Sequence, residues 1–199
     1  MTKNQTYNRG FTLIETFVAV LILIFAVIAP MGLLARAISD GNFAKNQVTA
    51  YFLAQEGVEL VINKRDQNVA RSEDELPDPA TWLNGLDACQ SGGCNPDPNG
   101  SIRICRDIED TGDFGGCDLY IVDEDSQSSY TTETSGNSRS IFKRQVKIEE
   151  TSGGEKAKVT ATVFWQERDR LNHLDISTVI LNPDFIPNSE GGEGGWNEV

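Results

Sequence analysis

Histidine is almost absent from this sequence: His173 is the single one among 199 residues. Cations are also scarce, with 17 Lys and Arg against 30 Asp and Glu, which gives a formal net charge of −13. This balance argues against direct nucleic-acid binding through a basic patch. One histidine assembles no Ser/His/acid or Cys/His catalytic set, and no pair of carboxylates lies in a context apolar enough for acid–base catalysis. The sequence therefore favours a protein that is not an enzyme.

Charged residues are missing from one long stretch near the N-terminus. Glu15 is the only ionisable side chain between Phe11 and Ala35. As a helix rising about 1.5 Å per residue, this stretch would be about 37 Å long, whereas the hydrocarbon core of a bilayer is about 30 Å thick. The stretch is long enough to cross a membrane with some tilt. The chain after it is polar and acidic, so we expect one membrane stem and one soluble head.

The stem begins with the residues Gly10-Phe-Thr-Leu-Ile-Glu15. This motif resembles the processing site of type IV prepilins and pseudopilins. The resemblance implies that residues 1–10 are a leader, that prepilin peptidase cuts after Gly10, and that Phe11 becomes the methylated N-terminus. Losing the two cations of this leader and no acid would change the formal charge from −13 to −15. Glu15 would then be the fifth residue of the mature chain, as the family pattern requires.

Glu15 is a candidate assembly residue on physical grounds as well. A carboxylate inside a membrane is costly unless it is paired, and intramembrane ionisable residues are usually functional. After cleavage, Phe11 would carry an ammonium group at a helix N-terminus, and a carboxylate would offset that unfavourable charge. The resemblance implies that Glu15 pairs with the ammonium of a neighbouring subunit and so specifies the axial register between subunits. The alternative is that Glu15 reaches the cytoplasmic headgroups.

The leader's cations favour a cytoplasmic N-terminus and a single-pass protein of the inner membrane. The resemblance implies that the protein then joins an extracellular filament with other pilin subunits and the pilus assembly machinery. That filament could serve an adhesive or motile type IV pilus, type II secretion or competence. An uncleaved, single-span, membrane-anchored extracellular binding protein is the alternative. A secretory signal peptide would have a shorter apolar region and a cleavage site, which we do not find before Arg36.

The predicted fold class is α+β, with a long N-terminal helix packed on a C-terminal antiparallel sheet. Pro30 and Gly32 predict a kink or a locally melted turn in this helix. The predicted segments are a leader (1–10), a transmembrane helix half (11–35), an amphipathic helix half (36–66), a globular head (67–182) and a flexible tail (183–199).

Apolar periodicity gives the finer predictions. Alternation predicts a meander of three or four strands, clearest at 140–149, 156–165 and 174–181 and weaker at 101–106 and 117–122. Arg144 is the exception on the apolar face of the first of these strands. The helix stripe facing the sheet is predicted at Ala44, Val48, Tyr51, Val58 and Ile62, widened by Phe52, Leu53 and Val61.

The chain has four cysteines: Cys89, Cys94, Cys105 and Cys117. An even count in an exported head favours disulfides, with three possible connectivities. The local pairing is Cys89–Cys94 and Cys105–Cys117, and each disulfide would close a loop that is poor in core residues. A zinc site made of all four thiolates is the alternative, although the spacings are not C-x-x-C.

The segment from Asn95 to Ser101 resembles the first half of a calcium loop. Asn95, Asp97 and Asn99 would supply side-chain oxygens and Ser101 a carbonyl. The acid expected at the twelfth position is missing, since Arg106 stands there. A turn rich in Pro, Asn and Gly is the alternative. Apart from this calcium candidate, we expect no cofactor.

Overall fold

The computed structural model describes residues 10–71, 82–105, 115–124, 127–151, 154–167 and 170–183. The chain divides into two compact units, Met1–Lys45 and Asn46–Val199. Helix α1, Leu13–Ala70, begins in the first unit and ends in the second. One long apolar N-terminal helix and a C-terminal antiparallel sheet confirm the α+β class. The predicted tail lies outside the described residues, except for its first position.

Helix α1 differs from the prediction at both ends and in its middle. It begins at Leu13 rather than Phe11 and ends at Ala70 rather than residue 66. The backbone stays helical through Pro30 and Gly32, so of the two expectations the melted turn was wrong and the kink stays a prediction. A proline removes only one hydrogen bond from the ladder, and the turns on either side keep the helix intact.

The first unit leaves its apolar side chains exposed. Phe25 and Leu33, for example, are 70% and 68% exposed. This part of α1 is long and apolar enough to cross a membrane, and none of the spanning stretch is buried within the chain. Such a surface is unfavourable in water, at roughly 25 cal/mol per Å² of exposed apolar area. The described chain provides no cover for it.

The second unit contains a short helix and a sheet whose described strands number seven. Helix α2 is Asp87–Gln90, and the strands are β1 (Cys94–Pro96), β2 (Ile102–Ile104), β3 (Asp118–Glu124), β4 (Gln127–Thr131), β5 (Ser138–Glu150), β6 (Lys156–Glu167) and β7 (Arg170–Leu181). All pairings are antiparallel. Strand β5 is central: β1 and β3 pair along one of its edges and β6 along the other.

The sheet is larger than the sequence predicted. Strands β5, β6 and β7 form the expected meander, and β2 and β3 lie at the two weaker predictions. Strands β1 and β4 were not predicted. The first has three residues and includes Pro96, and the second, Gln-Ser-Ser-Tyr-Thr, is almost entirely polar, so neither has an apolar alternation to detect.

The core lies between the sheet and the part of α1 that belongs to the second unit. Alternate residues of β5 and β6 are buried, as predicted: Phe142, Val146 and Ile148 on β5, and Val159, Ala161, Val163 and Trp165 on β6. The helix stripe was partly wrong. Leu53, Val58 and Val61 are buried, but Val48, Tyr51 and Phe52 are 56%, 45% and 63% exposed.

Small residues select the buried helix face. Ala50, Ala54 and Gly57 are all buried and recur at helical spacing, so the helix backbone can approach the sheet closely. A Cβ atom at Gly57 would lie 2.9 Å from Cδ of Arg144 and 3.2 Å from Cγ2 of Val146. The sequence stripe followed large side chains, whereas the structure buries small residues beside Leu53, Val58 and Val61.

We therefore expect Gly57→Ala to destabilise the protein by about 1–3 kcal/mol, because the added methyl overpacks a filled interface. Gly41→Ala is the matched control. It lies in the same helix with no atom within 4 Å of a Cβ, and should stabilise the helix by about 0.5–1 kcal/mol. Urea unfolding of the full chain in mild detergent measures both. Equal effects of the two substitutions would contradict close helix–sheet contact at Gly57.

Candidate functional site

The predicted processing segment lies at the exposed start of α1. Gly10 and Phe11 precede the helix, and Phe11 is 81% exposed. Thr12 accepts hydrogen bonds from the amide of Glu15, at its carbonyl oxygen (3.1 Å) and at Oγ1 (3.4 Å). Thr-x-x-Glu is the sequence signature of a helix N-terminus, so this start was readable from the residues. Glu15 is exposed in the first turn, where the helix dipole favours negative charge.

Nothing in the described chain requires glycine at position 10. A Cβ there would have no atom within 4 Å, and the residue is not among the glycines with positive φ. At Gly116, by contrast, a Cβ would collide with the carbonyl oxygen of Ile104, and φ is +83°. The fold explains the second glycine and does not explain the first.

A second cluster, centred on Arg144, lies in the core of the head. Its side chain is 1% exposed, although it occupies an inward position of β5. Nη1 donates to the Glu56 carboxylate at 3.0 Å and to the Leu53 carbonyl at 3.2 Å. Nε donates to Oδ1 of Asn95 at 3.0 Å, and Nη2 donates to the Pro96 carbonyl. Burial lowers the pKa of Arg144, and Glu56 opposes that shift.

Of the four residues of the calcium candidate, Asn95 contacts this arginine and the other three form the turn that follows β1. Asn95 is buried; its Oδ1 accepts from Arg144 and its Nδ2 donates to the carbonyl of Cys117 at 3.2 Å. Oδ1 of Asp97 accepts from the Asn99 amide at 3.1 Å, and Oδ1 of Asn99 accepts from the Ser101 amide at 2.8 Å. These are the hydrogen bonds of an Asn/Asp turn, which was the alternative interpretation. Calcium binding stays a prediction.

The Asp97 carboxylate ties this turn to the neighbouring hairpin. Its Oδ2 accepts hydrogen bonds from the Thr131 hydroxyl at 2.8 Å and from the Thr132 amide. Burial opposes ionisation of Asp97, but the hydrogen bonds from Thr132, Asn99 and Thr131 outweigh it and hold its pKa below the ordinary value. An ionised Asp97 therefore stabilises the folded head at neutral pH.

All four cysteines form disulfides, in the local pairing. Cys89–Cys94 joins α2 to the start of β1, and Cys105–Cys117 joins the end of β2 to the start of β3. Each bond fixes a segment beside the Arg144 cluster. No thiolate is left for the zinc alternative.

The remaining candidates do not converge. His173 lies exposed on β7, with its ring 6.1 Å from that of Phe164. In the part of the chain that the structure describes, no three His, Cys, Asp or Glu side chains group closely enough to hold a metal ion.

Comparisons with family models, with curated proteins and with solved structures find no match for this chain. Function must therefore be argued from its own residues.

The Arg144 cluster makes a testable prediction about stability. Arg144→Met should cost about 3 kcal/mol, because it leaves Oδ1 of the buried Asn95 without its donor and the Glu56 carboxylate without its cation. Arg139→Met is the control on the same strand: its side chain is 59% exposed and pairs with Asp118 at 2.7 Å, so it should cost at most about 1 kcal/mol. Urea unfolding of both variants would contradict the cluster's role if the losses were equal.

Proposed function

We propose that this chain is a minor pilin or pseudopilin, a structural subunit of a type IV pilus or a type II secretion-like filament. It is cut between Gly10 and Phe11, methylated on Phe11 and assembled through its N-terminal helix. The observation that carries the proposal is the order of features in the first unit. A Gly-Phe-Thr-Leu-Ile-Glu motif leads into the first turn of an apolar helix whose side chains are exposed.

Gly10 supports the processing step. Nothing in the described chain requires a glycine at this position, since a side chain there would meet open space. A peptidase cleft that admits only a narrow, extended backbone supplies such a reason. The start of α1 at Leu13 leaves Gly10 and Phe11 outside the helix, where a peptidase can reach the bond between them.

Glu15 supports the assembly step. It is the only ionisable residue in the apolar stretch, and the dipole at the helix N-terminus favours its negative charge. Cleavage would place a new ammonium close to that same end, where the dipole disfavours it. A carboxylate from an adjacent subunit offsets this charge and sets the height at which two stems align, while their apolar surfaces cover one another.

The head would face solvent and carry the specificity of the filament. Its two disulfides suit an oxidising compartment outside the cytoplasm. Before assembly the protein would be a single-pass membrane protein with a cytoplasmic N-terminus, and afterwards part of an extracellular filament. Its partners would be prepilin peptidase, other pilin subunits and the assembly machinery, with no nucleic acid, and its role would be structural rather than catalytic.

A permanently anchored extracellular binding protein is the second candidate. The exposed apolar half of α1 favours it equally, because a single span needs no cleavage to anchor a head.

The intact mass of the chain purified from its native membrane separates the two candidates. We expect the mass of residues 11–199 plus one methyl group. The full-length, unmethylated mass, with an active prepilin peptidase present, would leave the anchored binding protein.

A Glu15→Ala variant tests assembly itself, with Asp40→Ala as the control because Asp40 is an exposed acid on the same helix. Glu15→Ala should abolish incorporation into sheared filaments, and Asp40→Ala should not. Normal incorporation of the Glu15 variant would refute the pairing role while leaving the mass result to stand.

A further inference from the structure

Asparagine is directly followed by glycine at two places in the sequence, Asn84-Gly85 and Asn99-Gly100. Asparagine is a thermolabile residue, because the main-chain nitrogen of the next residue can attack its side-chain amide. A glycine makes this attack easier, since it has no side chain to hinder the nitrogen. The two dipeptides are the same, so their reactivity in the folded protein depends on what surrounds each one.

Asn99 is held by hydrogen bonds. Its Nδ2 donates to the Glu133 carboxylate at 2.6 Å, and its Oδ1 accepts from the Ser101 amide at 2.8 Å. The Gly100 nitrogen, which is the attacking atom at this dipeptide, donates to the Asp97 carbonyl at 2.9 Å. These bonds must break before the nitrogen and the side-chain amide can meet. Asn99 is therefore protected, although it is exposed to water.

Asn84 lacks these restraints. Its side chain is half-buried and Gly85 is exposed, and among the described residues neither the Asn84 side chain nor the Gly85 amide forms a hydrogen bond. The two residues lie in the middle of a turn in which the Leu86 amide donates to the Leu83 carbonyl at 3.0 Å, with Gly85 at φ +76°. The attacking nitrogen and the side-chain amide are both available.

The charges beside the two dipeptides have opposite sign. Nζ of Lys64 lies 3.7 Å from the point where a Cβ of Gly85 would stand. At the other dipeptide, the Glu133 carboxylate contacts the Asn99 amide. The attack requires a main-chain nitrogen that has given up its proton, and it produces a negative oxygen on Cγ. A nearby cation therefore favours the step and a nearby carboxylate disfavours it.

We propose that Asn84 is a site of spontaneous deamidation in the folded protein and that Lys64 accelerates the reaction. The Gly85 nitrogen forms a bond to Cγ of Asn84, and the side-chain nitrogen leaves as ammonia, taking up the proton that the Gly85 nitrogen has lost. One water molecule then opens the five-membered imide at either carbonyl. The product is aspartate or isoaspartate at position 84, and no oxidant or reductant takes part.

The reaction changes the contact between this turn and helix α1. The Asn84 carbonyl accepts a hydrogen bond from Nδ2 of Asn68 at 2.8 Å, and Asn68 is buried in the last turn of the helix. In isoaspartate the main chain runs through Cγ, and that carbonyl becomes a free carboxylate. Either product places a new negative charge near Lys64. The reaction needs neither cleavage after Gly10 nor filament assembly, so it stands or falls independently of the proposed function.

Peptide mapping by mass spectrometry compares the two dipeptides in one sample. The full-length chain is incubated in mild detergent in slightly alkaline buffer, and digestion in H₂¹⁸O labels any conversion that occurs during handling. In the folded protein we expect conversion at Asn84 to be at least about tenfold faster than at Asn99, where several hydrogen bonds must break first. In urea that unfolds the chain, the two rates should converge. Equal rates in the folded protein, or faster conversion at Asn99, would overturn the proposal.

Two substitutions of Lys64 test the contribution of its charge. Lys64→Met should slow conversion at Asn84 about threefold in the folded protein, because it removes the cation beside Gly85. Lys64→Arg keeps a cation there and should keep the rate. Neither substitution should change the rate at Asn84 in urea, where the side chain is no longer held near the turn. An unchanged rate in folded Lys64→Met, or an equal loss in both variants, would refute the role of Lys64.

Discussion

The buried charge of Arg144 is the constraint on which the head depends. A guanidinium without water must have its donors satisfied, and its acceptors come from two places: Glu56 and Leu53 on α1, and Asn95 and Pro96 at β1. The backbone amide of Arg144 in turn donates to the carbonyl of Cys117. Because Gly57 has no side chain, the Arg144 side chain can pack directly against the helix backbone. One residue thus fixes the helix, a three-residue strand and the central strand relative to one another.

That constraint explains the arrangement around it. Strand β1 is too short and too polar to be held by its own pairing, and it stays in place because Asn95 and Pro96 accept hydrogen bonds from Arg144 and a disulfide tethers Cys94. The turn that follows is closed by Asp97 on the hairpin of β3 and β4. The polar groups that resemble a cation site in the sequence form hydrogen bonds with one another and with the buried Arg144.

The sequence predicted the stem and the meander because each can be recognised within one continuous stretch of residues. The stem is a long apolar run, and each strand of the meander shows period-two alternation. Arg144 was noticed as a break in that alternation, but its meaning depended on Asn95, 49 residues away, and on Glu56, 88 residues away. The buried helix face was misjudged for a similar reason. Large side chains suggested the stripe, while the sheet also packs against the small residues Ala50, Ala54 and Gly57.

Charge decides how copies of this protein can meet. An excess of acids makes the heads repel at short range, within a Debye length of about 8 Å at physiological salt. The proposed assembly therefore needs a surface where the excess charge is missing. The exposed apolar half of α1, in which Glu15 is the only ionisable residue, meets that condition.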